Sequence, residues 1–177
     1  MRLAGRVPID FAVAFLLFSR GGRVQHILHQ LKYFNKPELA RYLGRVFARD
    51  LMQAGLTRRI DLIIPIPLHP RRKKKRGYNQ SEEFAFGISE AANIPVDTES
   101  VVRVRYTDSQ TRKNRLLRWE NVEQAFQISK PTQLKGKHVL LVDDVITTGA
   151  TVEACARILS ENGTSAISVA GIAFATA

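Results

Sequence analysis

VLLVDDVITTGAT, residues 139–151, is the stretch that decides the fold of this chain. Four apolar residues lead directly into two neighbouring acids, Asp143 and Asp144, and a loop of small residues follows. An apolar run without polar alternation is typical of a strand that is buried on both faces, as in parallel sheets. The stretch therefore predicts a central strand that ends in acids and is followed by a turn into a helix.

The rest of the chain alternates between helical and strand patterns. Apolar residues at helical spacing predict helices after Gly22, after Pro37, from Asn79 and over 151–163. Apolar strands are predicted at 11–18, 61–67, 137–143 and 165–175, and a half-buried strand at 101–106. This alternation predicts an α/β fold with a mostly parallel sheet flanked by helices.

Length and composition indicate one globular domain. The chain has 177 residues, and 45% of them are hydrophobic, which is enough for a substantial core. We expect a single domain over 1–177, with an N-terminal strand and helices over 1–55 and a core over 56–177. The apolar run at 11–18 is far shorter than the ~20 residues that span a bilayer, so no transmembrane segment is expected.

Cysteine content and charge restrict the kind of protein further. The single cysteine, Cys155, excludes a disulfide framework and a zinc site made mainly of cysteine. It indicates a reducing, cytoplasmic location, and its place on an apolar helix face predicts a buried, inert thiol. The formal net charge of +11 predicts an anionic partner such as nucleic acid, a phosphorylated metabolite or a membrane surface.

The acids and the small-residue loop suit two parts of one ligand. In parallel sheets, ligands bind beyond the carboxyl ends of the strands, which is where Asp143 and Asp144 are expected. The N–H groups at the start of a helix favour phosphate, and small residues leave them accessible. The carboxylates repel phosphate, but they accept hydrogen bonds from neighbouring hydroxyls or help to place a divalent cation. A phosphate beside a vicinal diol is a ribose 5-phosphate.

Two other classes of protein place acids at the end of such a strand. A nucleotide hydrolase uses them for magnesium, but the chain has no G-x-x-x-x-G-K-[ST] motif. In a phosphoryl-accepting signalling domain the strand that ends in Asp-Asp opens the domain, whereas here only 33 residues follow Asp144. The ribose-phosphate interpretation is therefore favoured.

Residues 139–151 closely resemble the signature of type I phosphoribosyltransferases. The resemblance implies that Asp143 and Asp144 are the catalytic acids, which hold the ribose hydroxyls of phosphoribosyl pyrophosphate and act indirectly on a bound Mg²⁺. It implies that the loop binds the 5-phosphate of that ligand or of ribose 5-phosphate. The loop residues in question are Thr147, Thr148, Gly149, Ala150 and Thr151.

Other stretches resemble the ComF family. They are PIPLHPRR and RGYNQSEEFA within 65–85, SQT at 109–111, RWENVEQAF at 118–126 and GGRVQHILHQLKY at 21–33. ComF-like proteins are associated with bacterial DNA uptake during natural transformation. The resemblance implies single-stranded DNA and DNA-uptake or helicase proteins as partners. Many ComF proteins begin with a cysteine-rich zinc module, and this chain lacks those cysteines, so no zinc function is carried over.

The run RRKKKR at 71–76 lies in a polar stretch that we expect to be a basic loop. Such a run is ordinarily a solvated surface. By resemblance, however, it follows the strand where phosphoribosyltransferases bind pyrophosphate, and guanidinium groups bind phosphate oxygens in pairs. We therefore expect Arg71 and Arg72 to contact pyrophosphate. Lys73, Lys74 and Lys75 are candidates for contact with nucleic acid.

The polar stretch at 107–121 has no clean periodicity. By resemblance it corresponds to the mobile loop that closes over the ligand in phosphoribosyltransferases and excludes water from the reacting centre. Gln110 and Arg118 are the candidates for ligand contact there, and simple structural roles are the alternative.

Two functions remain open on the sequence alone. The first is an enzyme in which a nitrogen nucleophile, such as a nucleobase or an amine, displaces pyrophosphate at the anomeric carbon. Magnesium and basic residues would stabilise the departing pyrophosphate. The alternative is a non-catalytic accessory protein of natural transformation that binds ribose phosphate and DNA. The sequence identifies neither the acceptor nor a general base.

Overall fold

The computed structural model of the protein describes residues 7–19, 22–105 and 125–175. Its main sheet has four parallel strands in the order β1-β6-β5-β2. A separate antiparallel pair is formed by β3 and β4. The strands are β1 (Ala12–Phe18), β2 (Leu62–Pro65), β3 (Val101–Arg103), β4 (Phe126–Ile128), β5 (His138–Ile146) and β6 (Ala166–Ala175). The predicted parallel sheet is confirmed, and β5 is one of its two central strands.

Helices cover both faces of this sheet, as the sequence predicted. They are α1 (Arg23–Tyr33), α2 (Pro37–Gln53), α3 (Pro70–Arg76), α4 (Gln80–Ala92) and α5 (Ala150–Glu161). Short 3-10 helices span Leu56–Arg59 and Pro131–Gln133. Within the described ranges, no helix is both long enough and apolar enough to cross a membrane.

The core has two halves because β5 is buried on both faces. Leu140 and Val142 point to the side covered by α1, α2 and α4. Val139 and Leu141 point to the opposite side, which is covered by α5 and the β3–β4 pair. Successive residues of a strand face opposite sides of the sheet, so an uninterrupted apolar run is what a central strand requires.

The basic stretch at 71–76 is a helix, α3, and not the predicted loop. Pro70 occupies the first helical turn, where its fixed backbone angle suits a helix and its missing N–H costs nothing. The Nδ1 atom of His69 accepts a hydrogen bond from the backbone N–H of Arg71 at 3.2 Å and so caps the helix. Gly77, with φ of 84°, ends it. Arginine and lysine are good helix formers, and the prediction overlooked these signals.

The first strand also differs from its prediction. The run at 11–18 was predicted to be a buried strand, but β1 lies at the edge of the sheet and pairs with β6. Leu17 is 70% exposed, and Ala12 is exposed as well. An apolar run therefore predicted the strand correctly, but it did not predict its position in the sheet.

Helices α2 and α4 approach each other unusually closely. A Cβ atom on Gly44 would lie 2.2 Å from the carbonyl oxygen of Phe84, and one on Gly87 would lie 2.0 Å from the carbonyl oxygen of Arg41. Only glycine permits this backbone contact. The crossing fixes α4, whose first turn packs against the end of α1 beside the candidate site.

Candidate functional site

The acids lie at an open part of the sheet edge. Strand β5 outruns β2, since the last residue pair between them is Pro65 with Val142. Beyond this point β5 continues beside β6 through Ile146, with Asp143 opposite Gly171. The sequence predicted that this strand ends at the acids. Instead, β5 continues beyond them and carries them past the end of its neighbour β2. This is the carboxyl edge of a parallel sheet, where ligands bind.

Asp144 is held by cations from two helix ends. Its Oδ2 atom lies 3.5 Å from Nζ of Lys32, in the last turn of α1, and 4.0 Å from a guanidinium nitrogen of Arg76, the last residue of α3. Its Oδ1 atom accepts a hydrogen bond from the backbone N–H of Val145 at 2.7 Å. All three side chains are half-buried. The negative charge of Asp144 is thus balanced on the α1 and α4 side of the sheet.

Asp143 occupies a different environment. It continues the row of strand residues that faces α5, and its Oδ1 atom accepts a hydrogen bond from the backbone N–H of Asp144 at 2.8 Å. Burial, and next the charge of Asp144, raise the pKa of Asp143 to about 7, although Lys32 and Arg103 oppose the rise. Asp143 therefore exchanges its proton near neutral pH.

The small-residue loop forms the entry to α5. Gly149 has φ of 79°, in the left-handed region that strains other residues, and α5 begins at the next residue, Ala150. Thr147 and Thr148 are exposed, and the Oγ1 atom of Thr148 accepts a hydrogen bond from the N–H of Ala150 at 3.4 Å. Thr151 lies in the first turn and is partly buried. The loop thus places small residues and hydroxyls at a helix N-terminus, beside the acids.

Arg71 and Arg72 lie on α3 rather than on a loop, with Arg71 exposed and Arg72 partly buried. Desolvation, and next the charge of Arg72, lower the pKa of Arg103. Desolvation and the charges of Arg71, Arg103 and Arg72 lower the pKa of His69. The first turn of α3 and the end of β3 therefore form one electropositive region.

A cavity of about 180 Å³ lies beside this region. It lies between the turn after β2, the start of α4 and β3, and its lining includes Pro67, Lys73, Asn79 and Arg103. It is smaller than the ~300–1,000 Å³ of typical drug-sized sites and suits a small group. A larger cavity of about 480 Å³ is lined by residues such as Asp61 and Lys137, next to the amino ends of β2 and β5. Neither cavity is lined by the two acids, the small-residue loop, Arg71 or Arg72.

The two acids suit a Mg²⁺ ion whose remaining ligands are water and the phosphates of a bound substrate. Among the described residues, no group of three or more His, Cys, Asp and Glu side chains could hold a metal ion. Mg²⁺ commonly takes one or two carboxylates and completes its shell with water and substrate phosphates. Asp143 and Asp144 supply such carboxylates, so the donor set suits a cation that arrives with a phosphorylated ligand.

The acids and the small-residue loop lie together at the sheet edge, and the structure adds residues that the sequence analysis did not assign to the acids. Lys32, Arg76 and Arg103 surround the two acids. Lys32 and Arg103 were visible only as basic residues in a helix and a strand pattern, and Arg76 only as part of the predicted basic loop. No local signal paired any of them with an acid. Gln110, Arg118 and the predicted mobile loop at 107–121 all fall within 106–124 and so outside the described residues.

Three further residues have structural roles. Asn79 caps α4 by accepting a hydrogen bond from the N–H of Ser81 at 3.2 Å, and its Nδ2 donates to the carbonyl of Ile66 at 3.1 Å. The hydroxyl of Tyr78 donates to the carbonyl of Leu31. Cys155 is buried, and burial raises the pKa of its thiol well above the usual value, so it is the inert thiol that was expected.

Comparison with known proteins gives a consistent result. Residues 42–175 match the family described as "Phosphoribosyl transferase domain". The chain is 36% identical over 146 residues to the DNA utilization protein YhgH of Escherichia coli. This alignment covers 81% of this chain and 63% of that protein. The chain is 32% identical over 151 residues to Competence protein F of Haemophilus influenzae, and this alignment covers 83% of this chain and 66% of that protein. The chain thus spans less than two thirds of the length of the first of these relatives.

A solved structure shows the same fold. Glutamine phosphoribosylpyrophosphate amidotransferase from B. subtilis aligns with a TM-score of 0.56 and 21% identity, over 82% of this chain and 30% of that enzyme. At this identity the likeness concerns the fold alone.

Proposed function

This chain belongs to the phosphoribosyltransferase domain family, in its ComF branch, and on that premise we propose that it binds phosphoribosyl pyrophosphate or ribose 5-phosphate at the carboxyl edge of β5. One observation carries the proposal. Two carboxylates extend past the end of β2, and the small-residue turn into α5 follows them directly. Diol acceptors and a phosphate-binding helix end thus lie within one segment of nine residues, 143–151.

Each half of this segment binds a different part of the ligand. The hydroxyls of Thr147, Thr148 and Thr151 and the N–H groups at the start of α5 donate hydrogen bonds to the 5-phosphate. Asp143 and Asp144 accept hydrogen bonds from the ribose hydroxyls. A hydrogen bond to a charged group contributes about 1.5–3 kcal/mol, so two of them supply a large share of the affinity for the sugar.

Pyrophosphate binding is assigned to the electropositive region at α3. We place Arg71 and Arg72 on the pyrophosphate, with Arg103 between that region and Asp143. Mg²⁺, when bound, lowers the charge of the pyrophosphate and makes it a better leaving group. Gln110 and Arg118 are proposed to contact the ligand when the segment at 107–121 closes over it.

The proposed reaction is displacement at the anomeric carbon. A nitrogen lone pair of a nucleobase or an amine forms the new bond to this carbon, while the bond to the pyrophosphate oxygen breaks and its electron pair leaves with the pyrophosphate. The acids hold the ribose as positive charge develops on the ring, and the arginines stabilise the departing anion. The acceptor's proton is lost to solvent or to the acceptor's own basic group.

The decisive experiment measures pyrophosphate release across a panel of nucleobases and amines. Phosphoribosyl pyrophosphate with Mg²⁺ is the donor, a sample without acceptor is the control, and calorimetry measures binding separately. Acceptor-dependent release supports the transferase. Binding without release supports a non-catalytic ribose-phosphate module, and no binding of either ligand refutes the proposed site.

The second proposed function is an accessory role in DNA uptake or competence. Two relatives are named a DNA utilization protein and a competence protein. The basic helix α3 favours the same role, because Lys74 and Lys75 are exposed and the chain carries a net charge of +11. We propose contacts to single-stranded DNA through α3, with DNA-uptake or helicase proteins as partners in the cytoplasm. Retained ligand binding is compatible with this role.

A further inference from the structure

An aromatic cluster lies exposed at the end of α1. Tyr33 is 70% exposed and Phe34 is 54% exposed. The exposed ring of His29 lies 4.7 Å from that of Tyr33 and 5.7 Å from that of Phe34, centroid to centroid, with the planes tilted by 43° and 57°. These three residues are called the aromatic platform here. Large rings that cluster in solvent are uncommon on a monomer and usually mark a binding surface.

The aromatic platform does not belong to the core. The buried face of α1 is formed by Leu28 and Leu31, which are 5% and 1% exposed. His29 and Tyr33 are four residues apart and so lie together on a different face of the same helix. The core therefore does not explain why aromatic rings occupy these positions.

The surroundings of the aromatic platform are basic. Leu31 accepts hydrogen bonds at its carbonyl from Tyr78 and from Gln80 Nε2, so the end of α1 packs against the chain that leaves α3. At this junction the Oδ1 atom of Asn35 lies 3.0 Å from the position of a Cβ atom on Gly77. The end of α3, a helix with basic residues throughout its last turn, therefore lies close to the residue that follows the aromatic platform in the chain.

Two further lysines come from the end of α1 itself. Lys36 is exposed two residues after Phe34, and Lys32 reaches from the same turn to Asp144 at 3.5 Å. The aromatic platform thus shares the end of α1 with one exposed lysine and with a second lysine that reaches the proposed ribose-phosphate site. Rings beside a row of cations suit a ligand that carries both flat bases and phosphates.

We propose that the aromatic platform stacks the bases of single-stranded nucleic acid whose phosphates lie along α3. The proposal rests on the nucleic-acid part of the proposed function. It adds the surface that would distinguish single strands from duplexes. Cations bind the phosphates of any strand, but stacking requires unpaired bases. A second copy of this chain fits the surface less well, because two copies would each bring a net charge of +11.

The test separates stacking from charge. Fluorescence anisotropy compares an oligothymidylate of about 15 nucleotides with an abasic strand of the same length, which has the phosphates but no bases. We expect the wild type to prefer the strand with bases at least tenfold, because each base that stacks on a ring adds to the affinity. In Tyr33→Ala/Phe34→Ala this preference should fall close to one, with an unchanged slope of affinity against salt.

Matched variants control for folding and for exposure. Tyr33→Phe/Phe34→Tyr keeps two rings and should keep the preference, whereas Tyr33→Leu/Phe34→Leu keeps apolar bulk and should lose it. Tyr42→Ala removes an aromatic on α2 that is 56% exposed, and it should behave as the wild type. Binding of ribose 5-phosphate should be equal in all these variants, which shows that each is folded.

Four outcomes would refute base stacking on the aromatic platform. An unchanged base preference in both the alanine and the leucine variants shows that the bases stack elsewhere, and a wild type without any base preference assigns binding to charge alone. A wild-type dimer that Tyr33→Ala/Phe34→Ala dissociates in sedimentation, without effect on nucleic acid, assigns the rings to a second copy. If the wild type binds neither strand at low salt, the nucleic-acid role fails as well, while ribose 5-phosphate binding is judged by its own measurement.

Discussion

The Nζ atom of Lys32 lies 3.5 Å from Oδ2 of Asp144, so helix α1 reaches an acid on the central strand β5. Arg76 approaches the same oxygen from the end of α3. Asp144 is thereby held in place before a ligand arrives, whereas Asp143 on the other face of the strand carries a raised pKa. The two neighbouring acids are therefore not equivalent.

Loss of both acids should abolish most of the affinity for the sugar. In Asp143→Asn/Asp144→Asn, we expect Mg²⁺-dependent binding of phosphoribosyl pyrophosphate and binding of ribose 5-phosphate to weaken at least tenfold, because two charge-assisted hydrogen bonds are lost. Calorimetry measures both affinities. The matched control is Asp50→Asn, which changes an exposed acid of α2 and should have no effect. Equal affinity of the folded double variant and the wild type would refute the assignment.

Removing Arg71 and Arg72 should change the affinities for pyrophosphate and for ribose 5-phosphate to different extents. Arg71→Ala/Arg72→Ala is expected to weaken pyrophosphate binding much more than ribose 5-phosphate binding, since only pyrophosphate reaches the first turn of α3. Calorimetric titrations with each ligand measure the ratio. Arg58→Ala/Arg59→Ala removes another adjacent pair of exposed arginines, in the 3-10 helix before β2, and controls for net charge. A similar loss for both ligands would place Arg71 and Arg72 outside the site.

The lysines of α3 should control the salt dependence of DNA binding. Each phosphate contact on a single strand contributes about −0.7 to the log–log slope of affinity against salt, so Lys73→Gln/Lys74→Gln/Lys75→Gln should flatten it by up to about two units. Lys73 already pairs with Glu82 at 2.9 Å, so we expect its share to be the smallest. A salt titration on an oligonucleotide measures the slope. An unchanged slope removes α3 as a DNA contact, and ribose 5-phosphate binding should not change.

The raised pKa of Asp143 predicts how stability depends on pH. An unfolded aspartate loses its proton near pH ~3.9, whereas folded Asp143 keeps its proton to about 7. Folding therefore takes up a proton between these values, and the contribution of Asp143 to stability falls as pH rises, by up to about 1.4 kcal/mol per pH unit. Above about pH 7 the loss is complete and constant. Asp143→Asn cannot ionise and avoids this loss.

Urea unfolding of the ligand-free protein at about pH 5 and about pH 8 checks this prediction. The stability gained by Asp143→Asn over the wild type should be larger at the higher pH. Asp50→Asn, at an exposed position, should show no such trend. A difference between Asp143→Asn and the wild type that is the same at both values would show that Asp143 ionises normally.

The close crossing of α2 and α4 predicts an unusual response to alanine. In a helix interior, Gly→Ala ordinarily stabilises by up to about 1 kcal/mol. At Gly87 the added Cβ would lie 2.0 Å from the carbonyl oxygen of Arg41, so we expect Gly87→Ala to destabilise the fold by ~1–3 kcal/mol instead. Ser89→Ala, on the same helix, is the control. Chemical denaturation measures both, and a stabilised Gly87→Ala protein would contradict the observed crossing.

Much of the fold follows from local patterns. The uninterrupted apolar runs predicted the parallel strands, and helical spacing predicted α1, α2, α4 and α5. The same patterns could not show that β1 is an edge strand, because an apolar run does not record its neighbours. They also missed α3, since a fully charged helix has no apolar stripe and its cap is a histidine.

The candidate site divides in the same way. The acids and the small-residue loop were evident from the sequence because strand, acids and turn are contiguous at 139–151, and their chemistry depends on local backbone geometry. Lys32, Arg76 and Arg103 come from α1, α3 and β3, and only packing brings them to the acids. The environments of Asp143 and Asp144 likewise differ because the pleat sends neighbouring side chains to opposite faces, which tertiary structure then fills differently. The sequence by itself thus determined which groups are the candidates to bind a ribose phosphate, and the tertiary structure decided which charges surround them.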